Sequence, residues 1–188
     1  SELQYMQGNY QNAINSFNSY LSYYPQGLFY LEANYYLYKS YEIVCDLESA
    51  ILALDNIVSE KENKYTIEGI FNLAKMSYEL QKYISSEKYF SQLLELASEV
   101  EFKKHAILGL AESQFQLFKY EQLLETTSGL FDDGLFSGKE AIRMRYLRAI
   151  SLYKMNRNQQ SLIEFKWLAL NTQGALKAES YYYMALLF

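Results

Sequence analysis

Few residues in this chain could do chemistry, and their spacing rules most of it out. His105 is the only histidine and Cys45 the only cysteine among 188 residues. A histidine-based metal cluster and a Ser-His-Asp triad are therefore excluded within the chain. His105 lies in KKHAI at the start of a predicted helix and reads as an ordinary surface or groove residue. Cys45 falls in a predicted turn with no base to activate it, and a lone thiol excludes an internal disulfide framework. The segment SGKE (137–140) has the wrong glycine spacing for a phosphate loop, and no Ser or Thr follows its Lys. Asp132 and Asp133 are two adjacent carboxylates, far short of the roughly six oxygen ligands of a calcium site. A solvated turn is the expectation there. The chain is read as no enzyme, with no cofactor and no bound metal.

The informative spacing belongs to apolar and aromatic residues. Tyr10, Ala13, Ile14, Phe17, Tyr20 and Leu21 fall at i, i+3, i+4, i+7, i+10 and i+11, one face of a helix. The same six-slot stripe begins again at Leu47, Tyr83, Tyr120 and Asn158, with separations of 37, 36, 37 and 38. Of the 30 slots 25 are apolar or aromatic, against about 15 expected from a half-apolar composition. A near-constant period in this range is the mark of a stacked helical repeat. Between the stripes lies a second helix, with Tyr38, Ala74, Ala111, Ala149 and Ala185 at matching places. A small side chain there lets the partner helix approach closely.

Each unit is thus helix A, tight turn, helix B, connection. Helices are predicted over 2–7, 10–23, 29–44, 47–60, 65–81, 84–98, 102–118, 121–132, 139–155, 159–171 and 176–188. One proline and eight glycines leave room for them, and GLFDDGLFSG (129–138) reads as a longer connection. No strand and no domain boundary is expected. The repeats run 1–27 (partial), 28–63, 64–100, 101–137, 138–174 and 175–188 (partial), forming a single array over 1–188. A helix A without its helix B at the far end, and a truncated one at the start, predict an excerpt of a longer array or burial of those ends against another copy.

A formal net charge of −5 argues against bulk nucleic-acid binding. No apolar run approaches the roughly 20 residues that span a bilayer. Charge is segregated along the chain. Residues 1–60 hold seven acidic residues against Lys39 alone, a net of −6; residues 135–160 hold six basic ones against Glu140, a net of +5. Such ends could orient a partner, join copies head to tail, or be solvated faces.

The pattern resembles the tetratricopeptide repeat. Gly8 and Tyr10 stand at its turn, Ala13 and Phe17 on helix B, and Pro25 at its end; Leu37, Tyr41 and Ala50, then Leu73, Ala74 and Phe90, follow in the next two repeats. The chain departs from the family in its single terminal proline, in Thr127 at an aromatic slot, and in its longer period. The resemblance implies an all-α, right-handed α-solenoid of antiparallel helix pairs, and the spacing gives it about 10–11 helices with a period of 36–38. It also implies a protein or peptide partner bound on the concave surface lined by helix A. The segment 8–42 is similar to bacterial cell-envelope members, the outer-membrane assembly lipoproteins and Tol-Pal-associated periplasmic proteins, which implies an envelope location; a cytoplasmic one is the alternative.

On each helix A a second stripe surrounds the matched residue: Tyr35/Tyr38/Glu42, Phe71/Ala74/Tyr78, Leu108/Ala111/Phe115 and Tyr146/Ala149/Tyr153. Lys39, Lys75 and Glu112 lie one residue further round. As a groove, these residues would contribute aromatic area with hydrogen-bonding tips. As a seam, they would pack neighbouring A helices together. The spacing allows both readings, and also a structural, self-associating segment with no groove.

Overall fold

The protein is described by a computed structural model covering residues 1–129 and 135–187. Among these residues the regular structure is entirely helical. The helices are α1 (Glu2–Met6), α2 (Tyr10–Tyr23), α3 (Tyr30–Ile43), α4 (Leu47–Val58), α5 (Thr66–Glu79), α6 (Tyr83–Leu96), α7 (Val100–Gln116), α8 (Tyr120–Thr126), α9 (Gly138–Lys154), α10 (Asn158–Asn171) and α11 (Gly174–Leu186). Odd-numbered helices are A helices and even-numbered ones B helices. They fall into two compact units, Ser1–Leu96 and Ala97–Phe188.

The turn from A to B is the same in every repeat. Gly8, Cys45, Gln81, Phe118 and Asn156 all have positive φ, between 57° and 77°, and they stand 37, 36, 37 and 38 residues apart. In each, the following N–H reaches back five residues: Asn9 to the Gln4 carbonyl, Asp46 to Tyr41, Lys82 to Ser77, Lys119 to Gln114, Arg157 to Leu152, at 2.8–2.9 Å. The left-handed residue's own N–H donates three residues back, as Cys45 does to Glu42. This double closure satisfies carbonyls that the helix end would otherwise orphan, and it reverses the chain after a single further residue. Only Gly8 adopts the conformation without a Cβ penalty.

In the first unit α2 and α4 each pack on their own A helix and on the next one, and α6 packs on α5. The core joins Ile14 and Phe17 of α2, Leu37 and Tyr38 of α3, Leu54 and Ile57 of α4, and Leu73 and Met76 of α5. Burying each such side chain contributes about 1.5–3 kcal/mol. Tyr38, at a slot held by alanine elsewhere, is only 1% exposed. It shares its cluster with the small Ala50 and Ala53 of α4, which leave room for the ring. At two of the alanine slots helix B supplies a serine: Ser86 donates to the Ala74 carbonyl, and in the second unit Ser161 donates to that of Ala149, both at 2.9 Å. The polar exceptions in the stripes thus fasten the A–B crossing.

The second unit pairs α7 with α8 and α9, α9 with α10, and α10 with α11. Its core includes Met144, Leu147, Phe165 and Leu168, all fully buried. Glu164 of α10, 7% exposed, is gripped by Arg145 at 2.8 Å and Arg148 at 3.0 Å. Arg145 lies over the Trp167 ring, 4.5 Å from its centroid. Arg148 also donates to the Thr127 hydroxyl and carbonyl. α8 ends at Thr126, short of the predicted 132; Arg148 caps this end by donating to the Leu124 and Thr127 carbonyls, and the Thr127 hydroxyl donates to the Leu123 carbonyl, 2.7 Å away. Leu130, Phe131 and the Asp132-Asp133 pair lie outside the described residues.

Part of the segregated charge is paired inside each unit. Glu32 pairs with Lys64, Glu48 with Lys82, Glu112 with Arg143, and Glu121 with Arg157, at 2.9–3.2 Å. Each pair joins neighbouring repeats. Two of the seven acids in residues 1–60 are thereby met by a lysine one repeat on, so part of the acidic excess is compensated, and such exposed pairs contribute at most about 1 kcal/mol each.

Two consequences are measurable by urea denaturation. Gln81→Gly relieves a left-handed side chain and is expected to stabilise the chain by about 0.5–1 kcal/mol, while Gly8→Ala, with open space around its Cβ, is expected to cost a similar amount. Glu164→Ala strands two arginines and is expected to cost about 3–5 kcal/mol; a loss under about 1 kcal/mol would contradict the buried-pair account.

Candidate functional site

The candidate surface is the face of the A helices, and each unit builds its own part. On α3, Tyr35 stacks its ring on Tyr65, centroids 4.4 Å apart, and its hydroxyl lies 3.4 Å from Glu68. Lys39 stands among these groups. Its ammonium donates to the Tyr38 hydroxyl at 3.1 Å, pairs with Glu68 at 3.3 Å and Glu42 at 3.8 Å, and sits 4.7 Å over the Tyr38 ring. Burial would lower the Lys39 pKa, but the bond with Tyr38 and the charge of Glu68 outweigh it and raise it. This network ties α3 to α5. Further along α5, Phe71 is half-buried, Lys75 is exposed near Glu79 at 3.9 Å, and Tyr78 meets Tyr83 edge-on at 5.3 Å.

On the second unit's A helices the same logic holds. Glu112 of α7 pairs with Arg143 of α9 at 2.9 Å. Phe115 meets Tyr120 edge-on at 6.0 Å and packs on the Ala149–Phe165 cluster, and Leu108 is half-buried. Tyr146 of α9 donates to Glu179 of α11 at 2.9 Å. Burial, and then this bond to a carboxylate, push its pKa up to about 12. Tyr153 packs edge-on against Tyr183 of α11, centroids 5.1 Å apart.

Tyr35, Lys39, Glu112, Tyr146 and Tyr153 are thus seam residues: each contacts the next A helix or the residue leading into it. Glu68, Tyr65, Glu179 and Tyr183 complete those contacts, and stripes counted within one helix do not reveal them. The signal that finds Glu68 and Glu179 is the offset of 33 residues from tyrosine to glutamate, common to both bonds. His105 lies 3.5 Å from Glu101, one turn away on its own helix, and Cys45 is exposed in its turn.

Beside the seam of the second unit the A face opens into a cavity of about 400 Å³. Lys139, Ile142, Arg143 and Tyr146 of α9 and Leu176 of α11 line it. Only Tyr146 belongs to the stripes read from the sequence. The lining combines the apolar Ile142 and Leu176 with Lys139 and with Arg143 and Tyr146, the last two already engaged by Glu112 and Glu179, a composition that can seat an apolar side chain next to an acidic group. No group of His, Cys, Asp and Glu that could hold a metal occurs among the described residues.

The tyrosines of the seam set the alkaline limit of the fold. Tyr36, Tyr38 and Tyr146 are each raised to about 12, Tyr36 chiefly by its bond to Glu2 and the others chiefly by burial. Protonated tyrosine is the form the fold prefers, so this stability is complete below about pH 10 and is lost as pH rises from there through about 12. Urea midpoints are expected to fall over that window. Tyr146→Phe is expected to make the fall shallower while changing stability at neutral pH by about 1 kcal/mol or less.

No protein-family model and no curated protein matches the chain. Among solved structures it is similar to a tetratricopeptide repeat protein from Parabacteroides merdae, solved at 2.39 Å, with a TM-score of 0.53 and 18% sequence identity over 99% of this chain and 71% of that one. At that identity the likeness shows the fold alone. The fold is all-α, built of consecutive helix pairs of the tetratricopeptide type.

Proposed function

We propose that the chain is a non-enzymatic protein-interaction scaffold that binds a peptide or partner segment on its A-helix face. The observation that carries this reading is the cavity between α9 and α11, where Ile142 and Leu176 offer an apolar floor and Lys139 and Arg143 a cationic rim. A segment pairing an apolar side chain with a carboxylate fits that composition. Most of the other A-face residues are engaged in the seam. Lys75 is exposed on the first unit's own A face and is proposed as a contact there. The proposal includes a single continuous array over 1–188, and the likeness of residues 8–42 to cell-envelope repeat proteins supports a place in the bacterial envelope.

A second reading, a self-associating structural segment, draws on α11. Tyr181, Tyr182 and Leu186 are exposed there. So is Ala185, although its equivalents Tyr38, Ala74, Ala111 and Ala149 are buried in α3, α5, α7 and α9.

Selection of a displayed peptide library on the chain separates the two readings. Binders are expected to weaken about five- to thirtyfold on Ile142→Ala, the loss typical of one truncated anchor, and on Lys139→Glu, with Lys166→Glu on α10 unchanged. A library that yields no binder, with concentration-dependent dimerisation in light scattering that Tyr182→Glu abolishes, would replace the first reading with the second.

A further inference from the structure

The first unit contains a second, half-open cavity of about 450 Å³, lined by residues of α1, α2 and α3 and of the turns leading into α3 and α5. Its walls are aromatic. Phe17 and Tyr36 stack nearly parallel, centroids 5.5 Å apart, and Tyr65 is held from behind by its stack on Tyr35. The Tyr20 hydroxyl accepts the Phe29 N–H at 3.1 Å, which fixes the chain after Pro25 across one end. The polar lining includes two carboxylates, beside Ser1, Lys64 and the tyrosines. Glu2 accepts the Tyr36 hydroxyl at 2.7 Å and Glu32 lies on the wall. Each carboxylate can accept further bonds beyond the one it has.

Aromatic faces with carboxylates between them attract cations and repel anions. The cavity already holds one at its rim. The Lys64 ammonium sits 4.7 Å over the Tyr65 ring and 3.2 Å from Glu32, on a side chain that is 66% exposed. A volume of this size, within the usual range for ligand sites of roughly 300–1,000 Å³, greatly exceeds one ammonium group. Residues 1–60, which supply most of the wall, carry a net charge of −6.

We propose that this cavity binds the side chain of a lysine from a partner segment, with Lys64 as an intramolecular stand-in that the incoming ammonium displaces. A primary ammonium fits better than a quaternary one, because Glu2 and Glu32 need N–H donors. The aromatic walls take the aliphatic stem. This site is independent of the α9–α11 cavity and does not rest on that surface binding anything.

The test is a titration of the full chain with N-acetyl-lysine methylamide, followed by the ring resonances of Phe17, Tyr36 and Tyr65, with Tyr146 as a reporter of the other cavity. Saturable shifts are expected at the first three and none at Tyr146. Lys64→Ala is expected to tighten binding about two- to fivefold, the worth of one exposed cation–π contact. In that background Glu32→Gln is expected to weaken binding by a similar factor. Both positions are at the surface, and unchanged melting temperatures would show that the fold is intact. The norleucine analogue should not bind and the trimethyl-lysine analogue should bind more weakly. Norleucine matching lysine, trimethyl-lysine matching or exceeding it, indifference to Lys64→Ala, or absence of saturable shifts would each overturn the proposal. Loss of peptide binding at the α9–α11 cavity would leave it untouched.

Discussion

One left-handed residue at the end of each A helix determines how everything else can pack. By closing the helix with two backbone bonds and reversing the chain within a residue, it fixes where helix B begins and which face it lays against helix A. The stripe on helix B then meets the small slot on helix A without a long loop to order. That four of the five left-handed positions tolerate Cys, Gln, Phe or Asn shows that packing overrides a local conformational cost of about 1–2 kcal/mol. The conformation recurs because the geometry of the pair requires it, not because the residue type prefers it.

From that constraint follows an economy of polar groups. Neighbouring A helices reach one another through long side chains, and tyrosine is suited to the reach, because its ring covers area and its hydroxyl ends on a glutamate of the next helix. Tyr35 to Glu68 and Tyr146 to Glu179 repeat the arrangement in both units. The ion pairs Glu48–Lys82 and Glu121–Arg157 do the same beside helix B. A surface rich in tyrosine and charge is thereby partly occupied with holding the repeats together. What remains for a partner is where the seam leaves a gap: the cation-rimmed cavity of α9 and α11, and the aromatic cavity beneath α3.

The architecture is legible in the sequence because it is periodic. Spacings of 36–38 residues, the Ala74, Ala111 and Ala149 slots, and Gly8 and Cys45 in turns all follow from counting along the chain. The site is less so, for physical reasons. Ser86, Ser161 and Thr127 look like failures of an apolar stripe, yet they are buried because each hydroxyl returns a bond to a nearby carbonyl. Glu164 reads as a surface acid until Arg145 and Arg148 arrive from the preceding helix. The charge segregation is real in composition and partly cancelled in space, where ion pairs such as Glu48–Lys82 and Glu121–Arg157 join neighbouring repeats. Tyr65 belongs to the next repeat, so no search within one helix's stripe could join it to Tyr35.

Amide hydrogen exchange of the chain, with and without a library-selected peptide, tests most directly whether the A-helix face holds a partner through the gap between α9 and α11. Slowed exchange concentrated in α9 and α11, with α10 unaffected, is the predicted result. Protection concentrated on α8 and α10, or absent from the second unit altogether, would contradict it.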